Sequence, residues 1–515
     1  MKKWIALSAV AAMATMSFAS GSANNDDLRA ELEQLKQQIN ELKQAQAKIN
    51  LKALKKQIRE IKAHDAGDNI KWNVDFRTAY DVIGYKYASG TSSWNGIFTN
   101  RLWLGMAFAP TSNLVFKGLI SYYKMYGQLP APQQGFNYFD WIVNETPNPS
   151  GELRLKEAYW LYFGDSFLGA DIPWTASFGR RPATDGLLAS YREDQNPKSP
   201  LGHIINTEFD GASFKFNLEN VTGVPGMYFK LCMGRGMTNA NTRYAFGTLP
   251  DASYTKVNGW SNTDLAGFIF VPYDDGQYSV HTTAFKAFNL PGYFASQYVW
   301  DATLNTYMPD FTSFGLVQGG DMYGAAVSFL AQGIGDGIND FLDDTNAFVS
   351  FAWSKTLPGG THVGTFNGGP YNGVTTNVPN AMLGSTDNKS GTSIYVGANF
   401  PVPMIDGSRM GLEYNHGSKY WRSFTYAEDT LAGSKLAARG DAYEIWFNKE
   451  LIGRTLTAQV RYTYIDYKYS GSQSFFGEGG NPMTMNDIRG LQMLGYPVNA
   501  VDKAQDLRLY VRYRY

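Results

Sequence analysis

The final ten residues, DLRLYVRYRY (506–515), alternate without a break. Leu507, Leu509, Val511, Tyr513 and Tyr515 share one face, and Arg508, Arg512 and Arg514 share the other. A period of two belongs to an extended strand whose two sides meet different surroundings, because a helix repeats its faces every 3.6 residues or so. The same period appears much earlier. In IKWNVDFRTAY (70–80), Ile70, Trp72, Val74, Phe76, Thr78 and Tyr80 lie on one face and Lys71, Asn73, Asp75 and Arg77 on the other. TNRLWLGMAFA (99–109) groups Leu102, Leu104, Met106 and Phe108 and sets Arg101 opposite. PTSN, a turn signal, then leads into LVFKGLISYYKM (114–125).

A chain with apolar and polar faces this well separated needs two solvents. No internal run approaches the roughly 20 apolar residues of a membrane helix. The mean hydropathy is only -0.31. Charged residues are 18%, below the roughly 25% of soluble domains, and aromatics are 15%. This combination predicts an all-β chain forming a transmembrane antiparallel β-barrel, in which apolar side chains meet lipid and polar ones the lumen.

Further strands are predicted near 153–163, 172–181, 207–218, 226–235, 264–272, 277–287, 321–331, 345–355, 391–401, 408–417, 439–449, 454–468 and 505–515. With the first three they make about 16. A hairpin hidden in 288–320 or 356–390 leaves 18 open. The connections alternate. Short ones (110–113, 163–171, 220–225, 273–276, 333–344, 402–406, 450–453) separate long ones at about 81–100, 126–152, 182–206, 236–263, 288–320, 356–390, 418–438 and 469–504. Short turns at one end and long loops at the other are the habit of outer-membrane barrels.

Two segments precede the barrel, which is assigned to 67–515. Residues 1–23 read as a signal peptide: Lys2 and Lys3, then WIALSAVAAMATM, then small residues with cleavage after Ala19 or Ala23. Residues 24–66 have helix formers and no Pro or aromatic. Leu28, Leu32, Leu35, Ile39 and Leu42 follow a 4-3-4-3 spacing, and Leu51, Leu54, Ile58 and Ile61 resume it in a second phase. That repeat predicts an α-helical coiled coil with a narrow seam that a partner helix must bury. The alternative is one amphipathic helix packed on its own chain.

These features resemble bacterial outer-membrane porins with an N-terminal periplasmic coiled coil. The stretches NRLWLGMAFAPTSNLVFKGLISYYKMYG (100–127), LRLKEAYWLYF (153–163), SFGRRPATDGL (177–187) and FDGASFKF (209–216) look like the hairpins of a largely uncharacterised porin-like group. The closing strand resembles the C-terminal signal of such proteins, which implies that Tyr515 is read by the barrel-assembly machinery. The resemblance also implies a homotrimer embedded in outer-membrane lipid. It further implies that the third long loop folds inward as a constriction, presenting Arg181, Asp185, Arg192, Glu193, Asp194 and Lys198. The coil, projecting into the periplasm, would approach the peptidoglycan.

Strand phase predicts the lumenal charges: Lys71, Asp75, Arg77, Arg101, Lys117, Arg154, Lys156, Arg409, Glu413, Glu444, Arg461, Arg508, Arg512 and Arg514. Both signs occur, so a transverse field favouring polar solutes is expected. A formal net charge of -1 gives no basic field for nucleic acid, and one cysteine rules out disulfides and haem attachment. Five scattered histidines lack metal-ligand spacing, and GDGINDFLDD (335–344) lacks the EF-hand register, so no metal, cofactor or catalytic group is expected. The sequence therefore points to a porin passing ions and small hydrophilic solutes by passive diffusion. The alternative is a specialised barrel: a substrate-specific or hydrophobic-compound channel, or a sheath for an electron-transfer partner.

Overall fold

The computed structural model describes residues 70–128, 146–147, 151–182, 200–240, 254, 256, 261–335, 337–425 and 428–515. The segments 1–23 and 24–66, together with Asp185, Arg192, Glu193, Asp194 and Lys198, lie outside the described residues.

The wall begins with β1 (Lys71–Tyr87), β2 (Ser92–Thr111), β3 (Leu114–Met125) and β4 (Arg154–Gly164). It continues through β5 (Trp174–Pro182), β6 (Glu208–Asn217), β7 (Tyr228–Met237), β8 (Thr263–Asp274) and β9 (Tyr278–Ala295). Two short strands, β10 (Gln297–Asp301) and β11 (Thr306–Pro309), precede β12 (Phe314–Gln332) and β13 (Asn346–Pro358). Two more, β14 (Thr361–Asn367) and β15 (Val374–Pro379), precede β16 (Lys389–Pro401) and β17 (Ser408–Gly417). The chain finishes with β18 (Gly440–Ile452), β19 (Leu456–Tyr467) and β20 (Val501–Arg514). Sixteen of these close into one barrel, every neighbour antiparallel, with β20 paired to β1. Val74 and Tyr515 exchange both backbone hydrogen bonds at 2.9 Å, which ties the seam. Closure leaves the wall no edge strand with unsatisfied backbone groups.

A hairpin lies in each of the two long connections where one was suspected in either, but neither adds to the wall. They pair with each other as a separate four-stranded sheet in the order β11-β10-β14-β15, with β10 parallel to β14. The barrel therefore has 16 strands, not 18. Alternation alone cannot say whether a hairpin pairs with the wall or with another hairpin. A second difference lies at 81–100, expected to be a long loop. There β1 and β2 stay paired up to Lys86 opposite Ser92. Only 88–91 form a turn, and the run from Ser92 to Gly96 is strand, with Trp94 lying over Gly84, where an added Cβ would meet its ring at 2.6 Å.

The two faces of the wall differ as the alternation predicts. Along β20, Leu507, Leu509, Val511 and Tyr513 are 38–45% exposed, while Asp506, Arg508, Tyr510 and Arg512 are at most 5% exposed. Outward apolar residues recur on other strands, including Phe76, Trp160, Phe178, Val349, Phe351 and Val460. A barrel of sixteen strands is too wide for its own side chains to fill. Part of the interior is instead filled by connections: Leu201, Ile204, Ile205, Trp421, Phe424 and Phe476 cluster with the wall residues Phe209, Phe285 and Met322. A second cluster sets Ala432 and Ala438 against Ile465, Tyr467, Met485 and Ile488. The last two belong to a helix, α1 (Met485–Met493), whose N-terminus carries a capping box formed by Thr484 and Asp487.

Candidate channel interior

Register brings the basic residues of the seam together. Arg77 lies opposite Arg101 on one side and Arg512 on the other, and Arg461 lies opposite Arg508. Like charges directly across a ladder repel, so such a wall needs a counter-charge. It comes from the connection between β17 and β18. The Asp429 carboxylate accepts from Arg77 Nη1 at 2.6 Å and Nη2 at 2.7 Å, a bidentate fork. Arg508 Nη1 stands 3.0 Å away, and Arg101 Nη1 and Arg461 Nη1 each stand 3.5 Å away. The Asp429 carbonyl also accepts from Arg461 Nη2 at 2.5 Å and Arg508 Nη1 at 2.6 Å. Burial on its own would raise this carboxyl, but Arg77, Arg508 and Arg101 outweigh it and hold it well below the usual carboxylate range. Around the cluster, Arg508 pairs with Asp81, and Arg512 pairs with Asp75. Tyr123 Oη accepts from both Arg77 and Arg508 at 3.4 Å, and Arg101 stacks on Trp103 at 3.7 Å.

The acidic pair of the wall is answered from the same connection. Glu413 on β17 lies directly opposite Glu444 on β18. Lys435 Nζ bonds to Glu413 and stands 2.8 Å from Glu444 Oε1. All three side chains are buried. The connection thus carries an acid to the arginines and a base to the glutamates. Glu428 anchors it internally, taking Ser434 Oγ at 2.6 Å and Thr425 Oγ1 at 2.5 Å. Burial pushes the Glu428 carboxyl up, against the lowering by these hydroxyls.

A second inward segment meets it. Residues 201–205, at the end of the third long loop, are buried, and Phe424 N–H donates to the Ile204 carbonyl at 2.7 Å. His203 is wedged between Ser350 Oγ (2.9 Å from Nδ1) and Ser393 Oγ (2.8 Å from Nε2). Burial lowers its pKa to about 3, so it is neutral there. Behind them, Phe424 stacks on Phe476, Arg422 pairs with Glu478 at 2.8 Å, and Arg439 donates to the carbonyls of Trp421 and Ser470.

Sequence comparison matches residues 91–515 to the family described as "Protein of unknown function (DUF3373)". The chain belongs to that family. No curated protein matches it. Among solved structures the chain is similar to Pseudomonas putida OprB at high pH, with 13% identity, 88% of this chain and 96% of that one covered, and a TM-score of 0.44. It is also similar to Salmonella typhi OmpF in complex with daunomycin (9% identity, 88% and 99% covered, TM-score 0.43). A third similar structure is the outer membrane channel DcaP of Acinetobacter baumannii (11% identity, 87% and 97% covered, TM-score 0.40).

Of the charges expected in the lumen, Arg77, Arg101, Arg461 and Arg508 gather around Asp429, Arg512 and Asp75 pair with each other, and Glu413 and Glu444 share Lys435. Lys156 pairs with Glu208. Arg409 donates to Asn399 Oδ1 at 2.6 Å, away from both groups. Arg154 and Arg514 are half-buried, and Lys71, Lys117 and Tyr515 are exposed. Arg181 is buried on β5 over the Tyr159 ring at 4.6 Å. Strand phase did not reach Asp429, Lys435, Glu428 or His203, because all four stand on connections. One signal was available: WRSFTYAEDTLAGSKLAARG (421–440) is rich in Trp, Phe, Leu and Ala for a solvent-facing loop.

Proposed function

We propose that the protein is a porin of the bacterial outer membrane, a water-containing channel for ions and small hydrophilic solutes. The observation that carries this reading is the closed barrel with an apolar outer face and charged residues facing inward. Lipid offers the backbone no hydrogen bonds, so a closed sheet with lipid-compatible side chains outside is what a membrane wall requires. Segment 1–23 directs export, Tyr515 engages the barrel-assembly machinery, and the short-turn end faces the periplasm, where the coil of 24–66 joins three copies near the peptidoglycan. Lysines 71 and 117, exposed and in lumenal phase, lie towards that short-turn end.

The inward segments 201–205 and 428–439, most of whose residues are buried, favour a second reading, in which the channel is specialised and a particular solute must move them. Purified protein in a planar bilayer separates the readings. A porin conducts without a partner, and its reversal potential in a salt gradient gives the ion preference. A specialised channel stays nearly closed until its solute is added. Absence of current under both conditions, or constant co-purification with a redox protein, overturns the channel assignment.

A further inference from the structure

We propose that the arginine cluster of β1, β2, β19 and β20 is a binding site for small carboxylate anions, occupied in this state by Asp429 as a built-in competitor. The proposal rests on the channel reading only for the route by which an anion reaches the site.

The geometry is that of a receptor holding its ligand. One carboxylate receives a bidentate fork from Arg77 and lies within 3.5 Å of guanidinium nitrogens on three further strands. Paired parallel N–H donors match a carboxylate better than a point charge, and arginine is the side chain that supplies them. The four arginines come from the wall, whose register is fixed by backbone ladders, so the site does not depend on Asp429 for its shape. The occupant, in contrast, is held under strain. Glu428 and Asp429 are consecutive non-glycine residues with φ of +39° and +63°. A left-handed pair of this kind persists only while surrounding contacts impose it. An external carboxylate that took the arginines would relieve that strain and release this part of the connection, still tethered at Lys435. Binding and opening are then one event, because the solute gains the contacts that the connection gives up. Aromatic rings complete the site: Tyr123 and Tyr510 flank Arg77 at 5.7 and 5.4 Å.

The test uses the full-length protein in detergent, titrated calorimetrically with sodium succinate at fixed chloride. Asp429→Asn removes the competing charge and keeps the shape. It is expected to bind succinate about tenfold more tightly than wild type, the factor that losing one charge-assisted hydrogen bond of about 1.4 kcal/mol produces. Adding Arg77→Lys, which cannot form the fork, should abolish the gain. Equal affinity in wild type and Asp429→Asn overturns the proposal. Should that variant not fold, a second measurement keeps the wild-type Asp429. In Cys232→Ser/Leu431→Cys, succinate should speed thiol modification at position 431, whereas sodium chloride of equal ionic strength should not. An unchanged rate overturns the proposal by itself. Conductance without succinate binding would leave the channel reading standing and remove the site. Succinate binding without conductance would do the reverse.

Discussion

Lys435→Met tests whether the two buried glutamates depend on the connection between β17 and β18. Methionine keeps nearly the length of lysine and loses its charge. In the folded protein Lys435, Glu413 and Glu444 have side chains only 3%, 5% and 0% exposed. Without Lys435, two carboxylates would face each other across adjacent strands. Removing one partner from a buried ion pair costs about 3–5 kcal/mol. Neutral donors offset part of this: Thr463 Oγ1 donates to Glu444 at 2.8 Å, Tyr395 Oη to Glu413 at 2.5 Å, and Trp446 Nε1 to Glu413 at 3.3 Å. A second limit is topological. The connection can undock and admit water to the glutamates, so the observed loss is the smaller of the electrostatic cost and its docking free energy. A loss of about 2–3 kcal/mol is expected, below the range of about 3–5 kcal/mol for a broken buried pair, because of these two offsets. The assay is thermal unfolding in detergent, read by heat-dependent gel mobility, alongside bilayer conductance. The variant should unfold at a lower temperature and pass more current. Glu413→Gln and Glu444→Gln added to Lys435→Met should restore most of the stability, because no buried charge remains. Should Lys435→Met unfold like wild type, to within about 0.5 kcal/mol, the typical change at a solvated surface position, the three groups are hydrated and the reasoning fails.

Val511→Arg on the outer face should cost about 2–4 kcal/mol near the membrane midplane, measured by unfolding in lipid. A lipid-soluble thiol reagent should modify cysteine placed at Phe76 far faster than at Arg77, and equal rates would mean the register is wrong. His203 binds its proton near pH 3 when folded and near 6.5 when unfolded. Its contribution to stability is therefore intact above pH 6.5 and declines as the pH falls towards 3, by at most about 1.4 kcal/mol per unit. His203→Gln should flatten that slope, and parallel pH profiles for the two proteins would count against a buried neutral imidazole. Removing residues 24–66 should lower the heat resistance of the trimer and leave conductance intact. A full-length protein that is monomeric by light scattering would contradict the trimer, and lost conductance would make the coil a gate.

The wall was legible because its signal is local. Successive side chains of a strand must point to opposite sides, so the phase of Arg77, Arg101, Arg461, Arg508 and Arg512 could be read from neighbours within a few residues. The turns could be read for the same reason. Composition misleads where it masks phase: the polar run at 92–96 resembles loop, although it is strand and Trp94 packs across the ladder on Gly84. The fate of the two extra hairpins was not legible, since β10 pairs in parallel with β14, Gln297 opposite Thr365, and nothing in either strand names its partner.

The interior shows the same division more sharply. Local chain chemistry dictated that the strands would have one apolar and one charged face, and that like charges would stand on that second face. It also dictated that the connections after β2 would alternate in length. The resemblance to porins singled out the third loop as the inward one, a criterion that makes no reference to the charges of this wall. Only closure of the barrel decided that Asp429, 352 residues from Arg77, would meet the arginines, and that Lys435 would meet the glutamates. Alternation is imposed by the geometry of each peptide unit, so it is written wherever a strand forms. Which loop enters the lumen depends on matching its charges to wall residues that become neighbours only when the first strand and the last are joined.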